Sequence, residues 1–211
     1  RATLMGPAER GGVCYAGRGP AFNWIFRMLV LTQTKRTDER LLLRMADHYS
    51  KPRGFVGRNI CYAITYNSDY YGHIVGGSAT RFLPGRHEFL GTSENVLNSI
   101  VNNIFFNVSK VNGRYPMRNF TSACVSAFEK RIAADWTSKY GDTVVGFETL
   151  VEKPRTGRLY ILAGWTEVGV TKGYSCKRVG GASTDSWTGS RVWDTINLRP
   201  KRVICKKAVY D

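Results

Sequence analysis

His48 and Tyr49 stand side by side just before the Pro/Gly break KPRGFVG. An imidazole titrates near neutral pH and a phenol holds its proton to about pH 10, so this pair can supply a general base beside a proton donor. A lone histidine is more often structural than catalytic, and position alone leaves both readings open. Glu148 is a second base candidate: it sits among Val, Gly, Phe, Thr and Leu in DTVVGFETLVE. A carboxylate is costly to bury there and its pKa rises, unless an ion pair holds it. A third group is RNFTSA, residues 118–123, at the head of an apolar-periodic stretch. A helix start directs unpaired N–H groups and a positive dipole end outward, making an anion site to which Arg118 adds charge and Asn119 or Ser122 a polar contact. Asn119 or Thr121 acting only as the helix cap accounts for the same residues. Finally, GRLYILAGWTEVG, residues 157–169, sets Tyr160 and Trp165 between glycines.

These groups need elements to position them. FNWIFRMLVLT has the bulky β-formers of a first strand, and TDERLLLRMADHY reads as a helix capped by Thr37, with Leu41, Leu42 and Met45 on one face and His48 and Tyr49 at its end. NICYAITYNSDYYGHIVGGSATRFL is two alternating runs about the polar NSD turn, a β-hairpin. SENVLNSIVNN starts as a short helix and IFFNVS continues as a buried strand. In MRNFTSACVSAFEKRIAADWTSKYG an apolar residue recurs every four positions at Phe120, Cys124, Phe128, Ile132 and Trp136, and Gly141 ends the helix. The strand DTVVGFETLVE follows, so strand, helix and strand form a parallel crossover unit. LYILAG then supplies a helical turn and WTEVGVT a last strand. The resulting division is an irregular arm over 1–20, one domain over 21–173 and a basic, aromatic extension over 174–211.

Charge narrows the partners. The 211 residues carry 31 Lys and Arg against 16 Asp and Glu, a net +15, which concentrates polyanions and makes nucleic acid the leading partner. Lys172, Lys177, Arg178 and Arg191 are interleaved with Trp187 and Trp193, pairing phosphate neutralisation with flat stacking surfaces; a solvated tail pinned by its tryptophans is the plainer reading. Five scattered cysteines without a C-x-x-C pair point to a reducing cytoplasm and to no metal site. No apolar run is long enough to span a membrane. Walker, G-x-G-x-x-G, H-E-x-x-H and G-x-S-x-G motifs are missing, and no carboxylate cluster offers magnesium to a nuclease.

The element order resembles the GNAT acyltransferase fold, an α+β architecture with a mixed central sheet and helices on both faces. In that family the strand before the main helix splays from the next one and the helix start holds a pyrophosphate. Its phosphate loop, R/Q-x-x-G-x-G/A, is similar to Arg118–Ala123 except that Thr121 replaces the first glycine, which narrows the approach of a pyrophosphate. Its later pattern, a Tyr on a short helix before G-[FW], is matched by Tyr160, Gly164 and Trp165.

Over residues 44–173 the chain more specifically resembles the Mom-type DNA modification proteins of phages and a related family that includes the DruA component of Druantia defence systems. The likeness rests on His48-Tyr49-Ser50, Val101-Asn102-Asn103, NFTS at 119–122, ADW and YG within 134–141, ETLVE at 148–152, and GRLYILAGWTEVGVTKG. It implies a transferase in the host cytoplasm that turns the exocyclic amine of adenine in double-stranded DNA into a carbamoylmethylamino group, an anti-restriction modification. The acyl donor is left open, with glycyl-tRNA and acetyl-CoA as examples that fit. On that reading His48 or Glu148 is the base and Tyr49 or Tyr160 the acid, while Arg118, Asn119 and Ser122 hold the donor. Tyr66, Trp165 or Trp187 would stack on a flipped base. The competing expectations are a non-catalytic nucleic-acid-binding module on a degenerate core and an acetyltransferase for proteins or small molecules.

Overall fold

The computed structural model describes residues 28–50, 52, 54–179 and 190–210, with only the backbone of 175–179 and 190–194. The expected arm at 1–20 and the first residues of FNWIFRMLVLT lie outside these. Strand β1 is Leu29–Thr34 and helix α1 is Glu39–Asp47. Asp38, not Thr37, caps α1: its carboxylate accepts the Leu41 N–H at 3.0 Å. Leu41 and Met45, four residues apart, are buried, whereas Leu42 lies 100° round the helix and is 48% exposed.

Strands β2 (Asn59–Tyr66) and β3 (Asp69–Ser78) form the expected hairpin. Asn67 and Ser68 both take positive φ, 50° and 71°, as a two-residue turn matched to strand twist requires. A short helix α2 (Arg86–Leu90) had no sequence signal, and SENVLNS is a 3-10 turn, Glu94–Ser99, before β4 (Ile100–Val108). Helix α3 spans Phe120–Tyr140 and ends on Gly141 at φ 79°. Phe120, Cys124, Phe128, Ile132 and Trp136 are all buried along one side, as their spacing dictates. Gly76 lets α3 approach the sheet, since a Cβ there would lie 2.0 Å from Ile132 Cδ1. Strands β5 (Gly146–Glu152) and β6 (Thr166–Val170) flank helix α4 (Arg158–Leu162).

The boundary expected at residue 173 does not hold. Strand β9, Lys201–Lys207, enters the main sheet between β5 and β6, giving the order β1-β2-β3-β4-β5-β9-β6. Val203, Ile204 and Cys205 are fully buried. Three apolar residues between basic pairs are too short a run to announce a central strand, and only pairing with β5 over seven residues reveals it. Between β6 and β9 the chain makes a second, two-stranded sheet from β7 (Ser175–Val179) and β8 (Ser190–Asp194).

The main sheet is antiparallel except for β4 and β5. Helix α3 covers one face with the larger core cluster, and α1 covers the other through Leu41, Met45, Cys61, Val75 and Phe105. This is the expected GNAT-like α+β architecture, with helices on both faces. No helix among the described residues is long and apolar enough to cross a membrane.

His73 on β3 is fully buried beneath α1; its Nδ1 meets the Tyr70 hydroxyl at 2.7 Å and its Nε2 faces Asp38 at 3.5 Å. Burial depresses its pKa to about 4, with Asp38 opposing and Arg44 and Arg40 adding to the shift. The unfolded chain therefore binds a proton that the folded chain refuses, and stability falls as pH drops from 6.5 toward 4. We expect urea titrations to show this group removing about 3 kcal/mol over that window, and His73→Gln to have a correspondingly flatter profile.

Candidate functional site

Strands β4 and β5 are paired only at Ile100–Gly146, Val101–Phe147 and Asn102–Glu148. Beyond Asn102 they separate, although each runs on for several residues. The β3–β4 register shows why: it jumps between Val75–Phe105 and Gly76–Asn103, leaving Ile104 as an extra residue. Such a bulge bends the strand that carries it. The free edge of β5 is meanwhile taken by β9. A cavity of about 600 Å³ opens in the gap, lined by Asn103, Phe105, Thr149 and Val151 of the strands, Tyr160 of α4, and His48 and Tyr49 at the end of α1. Arg155, Arg158 and Lys201 line it as well.

Tyr160 is held inside the protein. Its hydroxyl donates to Asn103 Oδ1 at 2.6 Å, while Asn103 Nδ2 donates to the carbonyls of Val75 and Phe105 at 3.1 and 3.2 Å across the bulge. Those two carbonyls orient the amide, so its oxygen must face the phenol. Thr149 Oγ1 donates to the Asn103 carbonyl at 3.0 Å, tying the two strands together where their ladder has ended. Burial pushes the Tyr160 pKa up, so it is a phenol at neutral pH. Gly157 opens α4 at φ 71°, where a Cβ would lie 2.4 Å from Ile204 Cδ1.

At the other face, His48 ends α1 with Nδ1 2.8 Å from Ser50 Oγ and its ring 4.8 Å from that of Phe105. Burial, then the charge of Arg155, lower its pKa, so it is a neutral imidazole able to accept a proton at pH 7. Tyr49 is 43% exposed beside it, and the Arg155 guanidinium lies 3.4 Å from its ring centroid. His48, Tyr49 and Tyr160 therefore line one cavity from opposite faces of the sheet.

The other expected site residues fare differently. Glu148 does not line the cavity: Oε2 pairs with Arg86 at 2.8 Å and Oε1 accepts the Thr80 N–H at 2.6 Å, with both side chains of the pair fully buried. Burial raises its pKa against the pull of these partners, and it is a structural ion pair rather than a base. Tyr66 is buried edge-on against Phe120, and Trp165 is 2% exposed, its indole N–H donating to Glu129; neither can stack on a base. Arg118 and Asn119 are exposed at the start of α3, and Ser122 is buried with its hydroxyl donating to the Asn119 carbonyl at 2.9 Å; none lines the cavity. Lys172 is exposed, Lys177 and Arg178 fall in β7 and Arg191 in β8, and Trp187 lies outside the described residues. Among the described residues no His, Cys, Asp and Glu side chains gather as a metal site. Sequence reasoning gave no site role to Arg155 or Lys201, which lack any local pattern, and held Asn103, Thr149 and Arg158 only inside segments quoted for a resemblance.

No protein-family model matches the chain, and no curated protein matches it. Among solved structures it is similar to the ribosomal-protein-S18-alanine N-acetyltransferase of Escherichia coli, 11% identical with a TM-score of 0.47 over 87% of this chain and 96% of that one. A Bacillus subtilis acetyltransferase in complex with CoA is 13% identical, with a TM-score of 0.47 over 86% and 99%. A GNAT-family acetyltransferase of Streptococcus pneumoniae is 13% identical, with a TM-score of 0.46 over the same shares. Strand order and the parting of β4 from β5 are what make the fold GNAT-like.

Removing one partner of the buried Arg86–Glu148 pair strands the other charge. Glu148→Gln is expected to cost about 3 kcal/mol in urea unfolding, and the double variant Arg86→Met with Glu148→Leu to recover most of it.

Proposed function

We propose that the β4–β5 cavity is an acyl-transfer site, in which an activated acyl group lies in the splay and an amine enters beside His48 and Tyr49. The observation that carries this is the placing of a neutral imidazole and a protonated phenol on one cavity from opposite faces of the sheet. Transfer forms a C–N bond and breaks the bond to the leaving group, so one proton must leave the amine and one must reach the departing sulfur or oxygen. His48 takes the first. Tyr160 gives the second, and a leaving thiolate competes with Asn103 Oδ1 for that proton. Tyr49 is the alternative donor at the mouth.

Acetyl-CoA and glycyl-tRNA are the two donors to test. Helix α3 begins at Asn119 in the left-handed region without a side-chain cap, and on this reading its first N–H groups take a donor phosphate, with Arg118 exposed beside them. The acceptor is read from charge. A net +15 favours a polyanion over a peptide or a small amine, and the resemblance of His48-Tyr49-Ser50 and its companions to Mom-type proteins supports the exocyclic amine of adenine in DNA. A glycyl group placed there could rearrange to the carbamoylmethylamino product.

The test is mass spectrometry of nucleosides from duplex DNA incubated with the protein and each donor, beside a peptide amine as competing acceptor. Modified adenosine is expected, with His48→Ala slowing transfer about 10²–10⁴-fold. Acetylated peptide with unmodified DNA would make this an amine acetyltransferase, and no product with any acceptor would make it a binding module. The pH profile separates the acceptors. With an adenine amine, already unprotonated, the acidic limb of kcat/KM reports His48 and lies at lower pH than that of an ordinary imidazole, because burial and Arg155 lower its pKa; with a lysine amine the rate keeps rising toward pH 10.

A further inference from the structure

We propose that the β7–β8 ribbon is a duplex-DNA-binding arm that delivers the acceptor to the cavity rim. It rests on the nucleic-acid reading of the acceptor and names the part of the chain that does the binding. The ribbon grows out of the main sheet at one defined place. The Thr171 N–H donates to the Lys201 carbonyl at 2.9 Å, the Lys201 N–H to Thr171 Oγ1 at 3.0 Å, and the Arg199 N–H to the Gly173 carbonyl at 2.9 Å. These bonds continue the β6–β9 ladder outward into the β7–β8 pair. Lys201, at the root, is itself a cavity-lining residue, as are Arg155 and Arg158. The ribbon's base therefore adjoins the site where the amine must arrive.

Composition and register supply the partner. From 172 to 200 the sequence holds Lys172, Lys177, Arg178, Arg191 and Arg199 against Asp185 and Asp194. Pairing sets Arg178 opposite Arg191, a register that places one basic residue of each strand on the same face, and Lys177 opposite Val192 on the other. Like charges directly opposed destabilise a strand pair by themselves, and a polyanion relieves that repulsion. Tyr174 and residues 195–200, which flank the ribbon, are exposed. A two-stranded ribbon is one of the two elements that the major groove, about 12 Å wide, admits, which favours a duplex over a single strand.

The test uses the full chain without any acyl donor, a fluorescein-labelled 20-bp duplex, the matching single strand and an uncharged tRNA, with anisotropy read across a salt series. K177A/R178A/R191A is expected to weaken duplex binding at least tenfold and to flatten the log Kd against log salt slope by about 3, one contact for each charge removed. K177R/R178K/R191K should bind within about threefold of the parent, and K35A/R36A/K130A, which removes equal charge elsewhere, likewise. A thermal midpoint unchanged by the ribbon variant shows that the fold is intact. Parent-like binding by the alanine variant overturns the proposal, as does an equal loss from the remote variant. Tighter, ribbon-dependent binding of tRNA overturns the choice of duplex. Because no donor is present, a chain that binds through its ribbon but modifies nothing refutes the reaction and leaves the arm standing.

Discussion

The separation of β4 from β5 is the constraint around which the rest of the molecule is arranged. Two parallel strands that part after three residue pairs leave backbone groups without ladder partners, and these need other bonds if they stay buried. Asn103 and Thr149 meet part of that need: the Asn103 amide donates to two carbonyls across the bulge, and the Thr149 hydroxyl reaches the Asn103 carbonyl. The remaining Asn103 oxygen holds the Tyr160 hydroxyl. The groups that bridge the gap are thus the ones that hold Tyr160 at it.

Around the gap, paired charges act as struts. Arg86 and Glu148 join α2 to β5 at the last paired step before the splay. On the opposite face Glu129 of α3 accepts from Trp165 and from Lys206 of β9, and Lys206 also donates to the Ala163 carbonyl at 2.8 Å. That network fixes the far end of α4, a helix of five residues too short to be stable alone. Tyr160 gains its position from it, because its ring packs on Trp165 with centroids 5.2 Å apart. A buried acid can therefore be held beside a cavity without lining it, and Glu148 is the instructive case. A carboxylate in an apolar strand reads as a base until its partner, 62 residues away, is seen.

The division between arm and core is equally a matter of pairing. The basic stretch after Gly173 holds two different things: a ribbon outside the main sheet and a strand at its centre. Both are rich in Lys and Arg. What separates them is Val203, Ile204 and Cys205, buried between β5 and β6.

Local pattern was enough wherever one element decides its own fate. The four-residue repeat from Phe120 to Trp136 specifies α3, the alternation about NSD specifies the hairpin, and His48 with Tyr49 at the end of α1 is readable because helix and break are adjacent in sequence. Net charge likewise needs no structure. The sequence by itself therefore determined the α+β class, the run of elements from β1 to β6 apart from α2, and the net charge of +15. Tertiary structure decided which candidate carboxylate was a strut, which aromatics were core, and that Arg155, Asn103 and Lys201 line one cavity with His48 and Tyr160. The physical reason is that burial and ion pairing depend on partners tens of residues away, whereas helix and hairpin signals are spent within a few.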